Sequence, residues 1–377
     1  MNRSFLVGYY GMQNTGDDAL MNATAWGARR FLGSDNLTVT SPQRLKLYNG
    51  ESLSSTLTTQ QRFPGQNRLT SYLRAMDSNR IIFGGGSVLH NARDINLKRD
   101  LMKLSRGRNH LALGVGIGPF TDTRAEQSCK LFLNDCEFVG VRDAASYDIA
   151  QSIAPHANVV LTFDLAPQLL SIEGFDIVPV QRQGVAVCLC PKERLSGNLQ
   201  AEYRRLKNIA RVIDAQYLFT QEPIVFVSFN GHPELGDHQI HKEVASLLSA
   251  KTMFNFVEYD SNPFRVLQRM ATFKLAICMR LHAAVFSYLT GTPFISLNYH
   301  PKCEQWSKQV GLPKRYSFNS ESFDPKILTN EVCRGISDGF EPCDLSLNQA
   351  INLSMENWRY CYENTKQPHD FSCYSTL

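Results

Sequence analysis

Arginine, histidine and lysine side chains follow two apolar segments in the second half of the chain. In KLAICMRLHAAVFSYLTGTPFISLNYHPK a buried strand ends at Cys278, and Arg280 and His282 stand at the start of the helix that follows. The next strand leads to Lys302. Cationic side chains at a helix N-terminus add to the positive end of the helix dipole and its free N–H groups. The segment therefore predicts an anion pocket, in which an imidazole can exchange a proton.

Simpler interpretations of these side chains stay open. A helix start usually favours acidic residues, so Arg280 is placed against local preference, although a salt bridge to another loop would also explain it. A lone histidine is more often a satisfied core residue than a catalyst. His282 differs because Arg280 precedes it and Lys302 follows the next strand.

The stretch YGMQNTGDDAL near the N-terminus is rich in polar residues. It places Asn14, Gly16, Asp17 and Asp18 after the first apolar strand, at the start of a predicted helix. A loop whose Asp17 or Asp18 caps that helix would explain the glycines and one aspartate. It would not explain Asn14 and the second aspartate, so we predict that this loop contacts a ligand.

Two further strand ends carry residues that could serve an anion site. Gly84, Gly85 and Gly86 follow the second clear strand, and their missing Cβ atoms would let a ligand approach the backbone; a tight turn against another strand is the alternative. In VGVRDAASYDIA, Arg142 closes a strand and is predicted to be a second clamp for the anion. Asp143 is most simply a helix N-cap.

Familiar cofactor and metal motifs are missing from the sequence. LGVGIGP has the spacing G-x-G-x-G rather than G-x-G-x-x-G, and no G-K-[ST] follows a strand. The ten cysteines are predicted to be reduced, buried thiols, because no second Cys or His pair stands at zinc-like spacing. We expect neither a cofactor nor a metal.

Short apolar runs alternate with amphipathic stretches along most of the chain, which predicts an α/β protein with two Rossmann-like halves. We expect a first domain over residues 1–172, a second over 183–344, and one long amphipathic C-terminal helix from Leu345 to Lys366 within a final segment 345–377. The segment 171–184 lacks a helical period and is predicted to be the linker. Parallel strands bind ligands at their carboxyl ends, so we expect the two halves to face one another across a cleft.

Composition limits the classes of function. The chain has 377 residues, 43% of them apolar and 20% charged, and a net charge of +4 that is scattered rather than clustered. No basic stripe predicts nucleic-acid binding, and no apolar run is long enough to span a bilayer. The N-terminus has no signal-peptide pattern, so a cytoplasmic location is expected.

The ordered set of motifs resembles the polysaccharide pyruvyl transferase family. The motifs are YYGMQNTGDDAL, FGGGSVLH, LGVGIGP, VRDAAS, FDLAP and MRLHAAVFSYLTGTPFISLNYHPK, which together span most of residues 6–302. The resemblance implies two Rossmann-like domains similar to the GT-B glycosyltransferase architecture. It also implies transfer of pyruvate from phosphoenolpyruvate to a sugar, giving a pyruvate ketal and phosphate. One departure is His300, where the family often has an aspartate before Pro-Lys.

Carried over by motif position, the resemblance implies a role for each predicted residue. Phosphoenolpyruvate would be held or activated by Arg142, His282 and Lys302, with support from Arg280, and the glycines Gly84–Gly86 would let it approach. The loop with Asn14, Gly16 and Asp18 would face the acceptor. Apart from the resemblance, the chemistry needs a proton donor, for which we choose His282, and a base for the sugar, for which we choose Asp17.

Two other functions fit the same fold prediction. A glycosyltransferase would use Arg280 and Lys302 to hold the diphosphate of a nucleotide sugar. A non-catalytic sugar-binding subunit of an export or assembly complex would need no proton donor at His282. The sequence does not specify the acceptor sugar, its linkage to a lipid, peripheral membrane association or the oligomeric state.

Overall fold

The computed structural model describes residues 2–178 and 180–363, which form two compact units. The first unit contains the residues up to Met12, Asp17–Phe175 and the described residues from Asn348 onward. The second contains Gln13–Gly16 and Asp176–Leu347. None of the helices in the described ranges has the length and apolarity that a membrane-spanning segment needs.

The first unit is built on a parallel sheet of seven strands in the order β3-β2-β1-β4-β5-β6-β7. Its central strands are apolar and fully buried, as expected for a sheet covered on both faces. The strands are β1 Arg3–Val7, β2 Asn36–Val39, β3 Ser54–Ser55, β4 Arg80–Leu89, β5 Leu111–Ile117, β6 Phe138–Val141 and β7 Val159–Leu161.

Five helices of the first unit alternate with these strands. The Phe83 ring of β4 and the Phe132 ring of the fourth helix meet edge to face at 5.0 Å in the core. The helices are α1 Thr15–Leu32, α2 Gln66–Met76, α3 Ala92–Leu104, α4 Thr123–Asp135 and α5 Ala144–Ile153. Strand order reverses between β1 and β4, the position at which such sheets bind ligands.

The second unit repeats this architecture with a parallel sheet of six strands in the order β10-β9-β8-β11-β12-β13. Its reversal of strand order lies between β8 and β11. The strands are β8 Val185–Cys188, β9 Ile224–Val227, β10 Phe254–Val257, β11 Leu275–Cys278, β12 Phe294–Asn298 and β13 Ser317–Asn319. The helices are α6 Lys192–Leu195, α7 Leu199–Thr220, α8 Asp237–Ala245, α9 Pro263–Met270, α10 Leu281–Leu289, α11 Pro301–Gln309 and α12 Pro325–Asp338. The predicted pair of parallel-sheet α/β domains is therefore confirmed.

The C-terminal segment differs from the predicted single helix. It consists of α13 Leu347–Met355, a 3-10 turn Glu356–Trp358 and α14 Arg359–Glu363, and residues 364–366 of the prediction lie outside the described residues. The turn directs both Asn357 and Trp358 into the first unit, where the Gly114 N–H donates to Asn357 Oδ1 at 2.6 Å and Trp358 is fully buried.

The observed division also differs from the contiguous domains 1–172, 183–344 and 345–377. The C-terminal helices pack within the first unit, and residues Gln13–Gly16 pack within the second. A backbone bridge and one side-chain hydrogen bond explain the second exception. Asn14 forms an antiparallel bridge with Asn230, Thr15 N–H donates to Phe229 O at 2.9 Å, and Gly231 N–H donates to Gln13 O at 2.8 Å. The Thr15 hydroxyl donates to Asp260 O at 3.3 Å.

Candidate active site

The end of β11 brings Arg280 to the point where strand order reverses in the second sheet. Arg280 is the N-cap of α10 in extended conformation, and its Nε and Nη2 donate to Asp237 Oδ1 at 2.9 and 2.5 Å. The Nε and Nη2 atoms of Arg280 therefore form a salt bridge, which is the simpler interpretation that the sequence left open. Asp237 begins α8, so the ion pair ties the start of α10 to the start of α8.

The Asp237 carboxylate is fully buried and has four donors. Its Oδ2 accepts the N–H groups of Phe229 and Asn230, both at 2.9 Å, beside the two bonds from Arg280. Burial raises the pKa of Asp237, while Arg280 and the two amides lower it. Burial lowers the pKa of Arg280, but the neighbouring carboxylate outweighs it and the net shift is upward. Sequence reasoning missed Asp237; the Gly-Asp pair before a helix in PELGDH was the available signal.

His282 is the second residue of α10 and lies against the opening loop. A Cβ atom added at Gly16 would be 2.0 Å from His282 Nδ1 and 2.3 Å from its Cγ, so only glycine at position 16 leaves room for the imidazole. Next to it, Asn14 Oδ1 accepts the Gly16 N–H at 3.1 Å. The structure thus brings together the predicted proton donor and two residues predicted to face the acceptor.

Asn14, rather than Asp17 or Asp18, caps α1. It immediately precedes the helix, and its side chain accepts the N–H of the second helical residue, the usual geometry of an N-cap. Asp18 is buried within the first turn, where its Oδ1 accepts Gly11 N–H at 2.7 Å. Asp17 is half-buried and its charge helps to raise the pKa of Tyr10, although burial is the larger cause.

Lys302 lies in the first turn of α11, beside the carboxyl end of β12. His300 caps that helix and its Nδ1 accepts Lys302 N–H at 3.3 Å, while Lys302 Nζ is 5.7 Å from the centre of the Tyr299 ring. Strands β11 and β12 are paired in parallel, so α10 and α11 begin at the same edge of the sheet. A polar cavity of about 420 Å³ adjoins the start of α11, lined among others by Asn298, Tyr299 and His300.

In the first unit, Gly84–Gly86 lie inside β4 and do not follow it, so the predicted position after the strand was wrong. Added Cβ atoms would be 2.0 Å from Thr24 Oγ1 at Gly84 and 2.7 Å from Leu20 Cδ1 at Gly85, which has φ +74°. The close packing of α1 on β4 therefore accounts for two of the glycines. Tyr10, a residue that sequence reasoning did not single out, donates to Gly84 O at 2.6 Å.

Arg142 follows β6 and is held in the first unit by two carboxylates. Its Nη1 is 3.7 Å from Asp164 Oδ2 and its Nε is 3.5 Å from Asp143 Oδ2, and all three side chains are buried. Asp143 also accepts Ser146 N–H at 2.8 Å, which confirms it as the N-cap of α5. Asp164 belongs to FDLAP, a motif that carried the resemblance but had no residue role assigned.

The predicted site residues thus form two groups. Asn14, Gly16, Arg280, His282 and Lys302 belong to the second unit. Asp17, Asp18, Gly84–Gly86 and Arg142 belong to the first.

Nine of the cysteines lie within residues 2–178 and 180–363. They are free thiols, and burial raises the pKa of Cys190 to about 12. The same ranges contain no group of three or more His, Cys, Asp or Glu side chains that could hold a metal ion.

Solved structures similar to the whole chain show its fold. UDP-GlcNAc 2-epimerase of Methanocaldococcus jannaschii, in complex with UDP-GlcNAc and UDP, aligns with a TM-score of 0.61 at 12% identity, covering 96% of this chain and 100% of that one. A putative UDP-N-acetylglucosamine 2-epimerase of Listeria monocytogenes aligns with a TM-score of 0.63 at 8% identity, covering 98% and 99%. The fold is that of the GT-B architecture.

Sequence comparison gives the family. The amylovoran biosynthesis protein AmsJ of Erwinia amylovora is 22% identical over 256 residues, which are 63% of this chain and 60% of AmsJ. The alignment thus spans less than two thirds of that relative. Residues 14–301 match the family described as polysaccharide pyruvyl transferase. Because this match covers most of the chain, the protein belongs to the polysaccharide pyruvyl transferase family.

Proposed function

We propose that the protein transfers pyruvate from phosphoenolpyruvate to two hydroxyls of a sugar in a polysaccharide or its precursor, forming a cyclic ketal and releasing phosphate. The observation that carries this proposal is the contact between His282 and Gly16 at the start of α10. A proton-exchanging side chain there adjoins the loop assigned to the acceptor. The same sheet edge presents the N-terminus of α11 with Lys302.

Charge supports phosphoenolpyruvate as the donor. Its carboxylate and phosphate suit helix N-termini and cationic side chains, which bind anions through N–H groups and charge. We assign Lys302 and Arg142 to these anionic groups, and Gly86, the one of the three glycines that the packing of α1 does not account for, to the approach of the donor. Arg280 acts through the loop that it holds with Asp237, since that ion pair engages its Nε and Nη2.

The reaction balances with the residues assigned. His282 donates a proton to the methylene carbon of phosphoenolpyruvate, and the first sugar hydroxyl forms a bond to C2 while its proton passes to Asp17. The second hydroxyl then displaces phosphate at C2, and its proton leaves with phosphate or returns to His282. Asp17 is assigned as the base because it follows Gly16 directly in the chain. We propose that the reaction takes place in the cytoplasm without an added metal or cofactor.

The test is incubation of the protein with phosphoenolpyruvate and a panel of hexose glycosides, following phosphate release and product mass. The proposal expects acceptor-dependent phosphate release and a product heavier by one pyruvate unit less one water. Chelator should leave the rate unchanged. Thermal stabilisation by UDP but not by phosphoenolpyruvate, with no phosphate release, would instead favour transfer from a nucleotide sugar.

A further inference from the structure

Helix α2 of the first unit carries a row of exposed apolar side chains. Leu69, Leu73 and Met76 are 49%, 56% and 50% exposed. Their spacing of four and three residues places them in one line along the helix, which we call the α2 stripe. Single exposed apolar residues are ordinary on a protein surface, whereas a contiguous row of them marks a surface that binds something.

The opposite face of α2 already packs on the first unit. Ser71 and Ala75 are the buried residues of this helix, and they lie about half a turn away from the α2 stripe. The stripe is therefore not part of the core. Just before the helix, Phe63 is 49% exposed and its carbonyl accepts Gln66 N–H at 3.2 Å, which adds a fourth exposed apolar residue at the start of α2.

Arginine side chains flank the α2 stripe. The helix contains two arginines and no acidic residue. Arg68 stands one residue before the stripe begins and Arg74 stands between its last two members, so the two lie on opposite flanks. Arg68 Nη2 is 3.8 Å from Asp100 Oδ2. Arg74 and Arg62 are both exposed, and neither forms an ion pair within the part of the chain that the structure describes.

Positive charge continues beyond the end of α2. Arg106 Nε donates to Met76 O at 3.0 Å, so its guanidinium lies against the last residue of the α2 stripe. Its Nη2 is 3.6 Å from Asp77 Oδ1, a carboxylate oxygen that also pairs with Arg3. Because two guanidinium groups share this one carboxylate, the charge around the stripe is positive at this end as well.

A lipid surface suits this combination better than a protein partner. An apolar face between arginine side chains is the pattern of a helix that lies in the interfacial plane of a bilayer, where guanidinium groups contact lipid phosphates. Four half-exposed side chains supply only a small part of the roughly 800 Å² that each partner of a stable protein interface buries. The charge of the flanks selects anionic lipids.

We propose that α2 and Phe63 dock the protein on an anionic phospholipid membrane. The helix ends at Met76 and β4 begins at Arg80, so α2 runs back toward the amino ends of the strands. Its start, with Phe63, therefore lies at the carboxyl edge of the sheet, where such sheets bind ligands. Docking would hold this edge near lipid. The inference adds a membrane surface to the proposed function and does not depend on pyruvyl transfer.

Vesicle flotation tests the docking on the full-length protein. We expect the protein to float at low salt with vesicles of phosphatidylcholine that contain about one third phosphatidylglycerol, and much less with phosphatidylcholine alone or at high salt. Leu73→Glu should lower the partition coefficient roughly 10- to 100-fold, the effect of losing one inserted leucine. Arg74→Ala should lower it about 5-fold, the effect of one basic residue near an anionic surface.

Two further variants serve as controls. Ile327→Glu replaces an isoleucine of α12 that is 54% exposed in the second unit, and it should float like wild type. His282→Asn should also float like wild type although it abolishes pyruvyl transfer. Leu73→Glu should keep both the wild-type thermal midpoint and the rate of transfer to a soluble hexose glycoside. Failure of the docking and failure of the proposed function are therefore distinguishable.

Two flotation results would overturn the docking: wild-type protein that does not float with the anionic vesicles, or Leu73→Glu protein that floats equally well. Sedimentation velocity tests a second copy of the chain as the alternative occupant. Self-association that Leu73→Glu abolishes, without flotation of the wild type, would make the α2 stripe a contact between copies and would equally overturn the proposal.

Discussion

Among single residues, Gly16 is the one whose missing side chain leaves room for the His282 imidazole. An added methyl group would be 2.0 Å from the imidazole Nδ1, so Gly16→Ala must rotate or displace the ring. We expect kcat to fall about 10- to 100-fold, as a small misplacement of a catalytic group does, with KM for phosphoenolpyruvate changed little. Steady-state phosphate release measures both constants.

Gly33→Ala is the matched control for this variant, at the other end of the same helix. Gly33 has φ +58° and no atom within 4 Å of an added Cβ, so alanine there adds backbone strain without a clash. Its thermal midpoint should fall while kcat is retained. Equal loss of kcat in the two variants would attribute the Gly16 effect to stability instead of His282.

His282 is the residue that separates catalysis from binding. If it protonates the methylene carbon, His282→Asn should lower kcat by about 10² to 10⁴, the usual share of a general acid. Binding of phosphoenolpyruvate, followed by calorimetry, should stay within a few-fold. Loss of binding together with turnover would make His282 an anion ligand, and near-normal turnover would contradict its role altogether.

Among the helices, α11 carries Lys302 in its first turn, and substitution of this residue tests the proposed anion contact. Lys302→Ala should raise KM for phosphoenolpyruvate roughly 10- to 150-fold, the effect of one charge-assisted hydrogen bond. Lys308→Ala is the matched control, because Lys308 is on the same helix with its side chain 74% exposed and paired to Glu304. An unchanged KM in Lys302→Ala would remove this residue from the donor site.

The Arg280–Asp237 pair joins α10 to α8, so we expect its loss to affect stability first. Arg280→Ala leaves a fully buried carboxylate without its cation, which should lower the free energy of unfolding by about 3 to 5 kcal/mol. Asp237→Asn keeps the shape without the charge and should also destabilise. Urea unfolding measures both. An Arg280→Ala protein with unchanged stability and no affinity for phosphoenolpyruvate would make Arg280 a direct ligand.

Local patterns predicted the elements well and their partners poorly. The helix that follows Cys278 and carries His282 could be predicted from a buried apolar strand, a polar break and a second apolar stretch. The partner of Arg280 is 43 residues earlier, and only the order of strands in the folded sheet brings Asp237 to it. Nothing in the local sequence specifies that order.

The same limit explains the errors at Gly84–Gly86 and at the C-terminus. The glycines look like a turn, but they continue β4 because α1 packs directly on it. Residues from Leu345 onward have a helical period, yet Asn357 and Trp358 form hydrogen bonds with groups of the first unit. Trp358 Nε1, for example, donates to Gln168 Oε1 at 3.0 Å across 190 residues of sequence.

For the whole molecule, we expect one buried histidine in each unit to make stability depend on pH. In the first unit His110 Nδ1 accepts Ile81 N–H at 3.2 Å, and in the second His241 Nε2 accepts Leu189 N–H at 3.1 Å. Protonation would remove both acceptors. Burial, the main cause, lowers the pKa of His110 to about 4 and that of His241 to about 3, from an ordinary value of 6.5.

The sign of the pH effect follows from proton counting. Below pH 6.5 the unfolded chain protonates these histidines while the folded units do not, so acid favours unfolding. Stability is complete above pH 6.5 and is lost as the pH falls toward the folded pKa values. From pH 6.5 to 5 each histidine should cost about 2 kcal/mol. Urea unfolding at several pH values should therefore give a shallower pH slope for His110→Gln and His241→Gln, whereas exposed His156→Gln should keep the wild-type slope. An unchanged slope in both buried-site variants would show that other groups control the acid sensitivity.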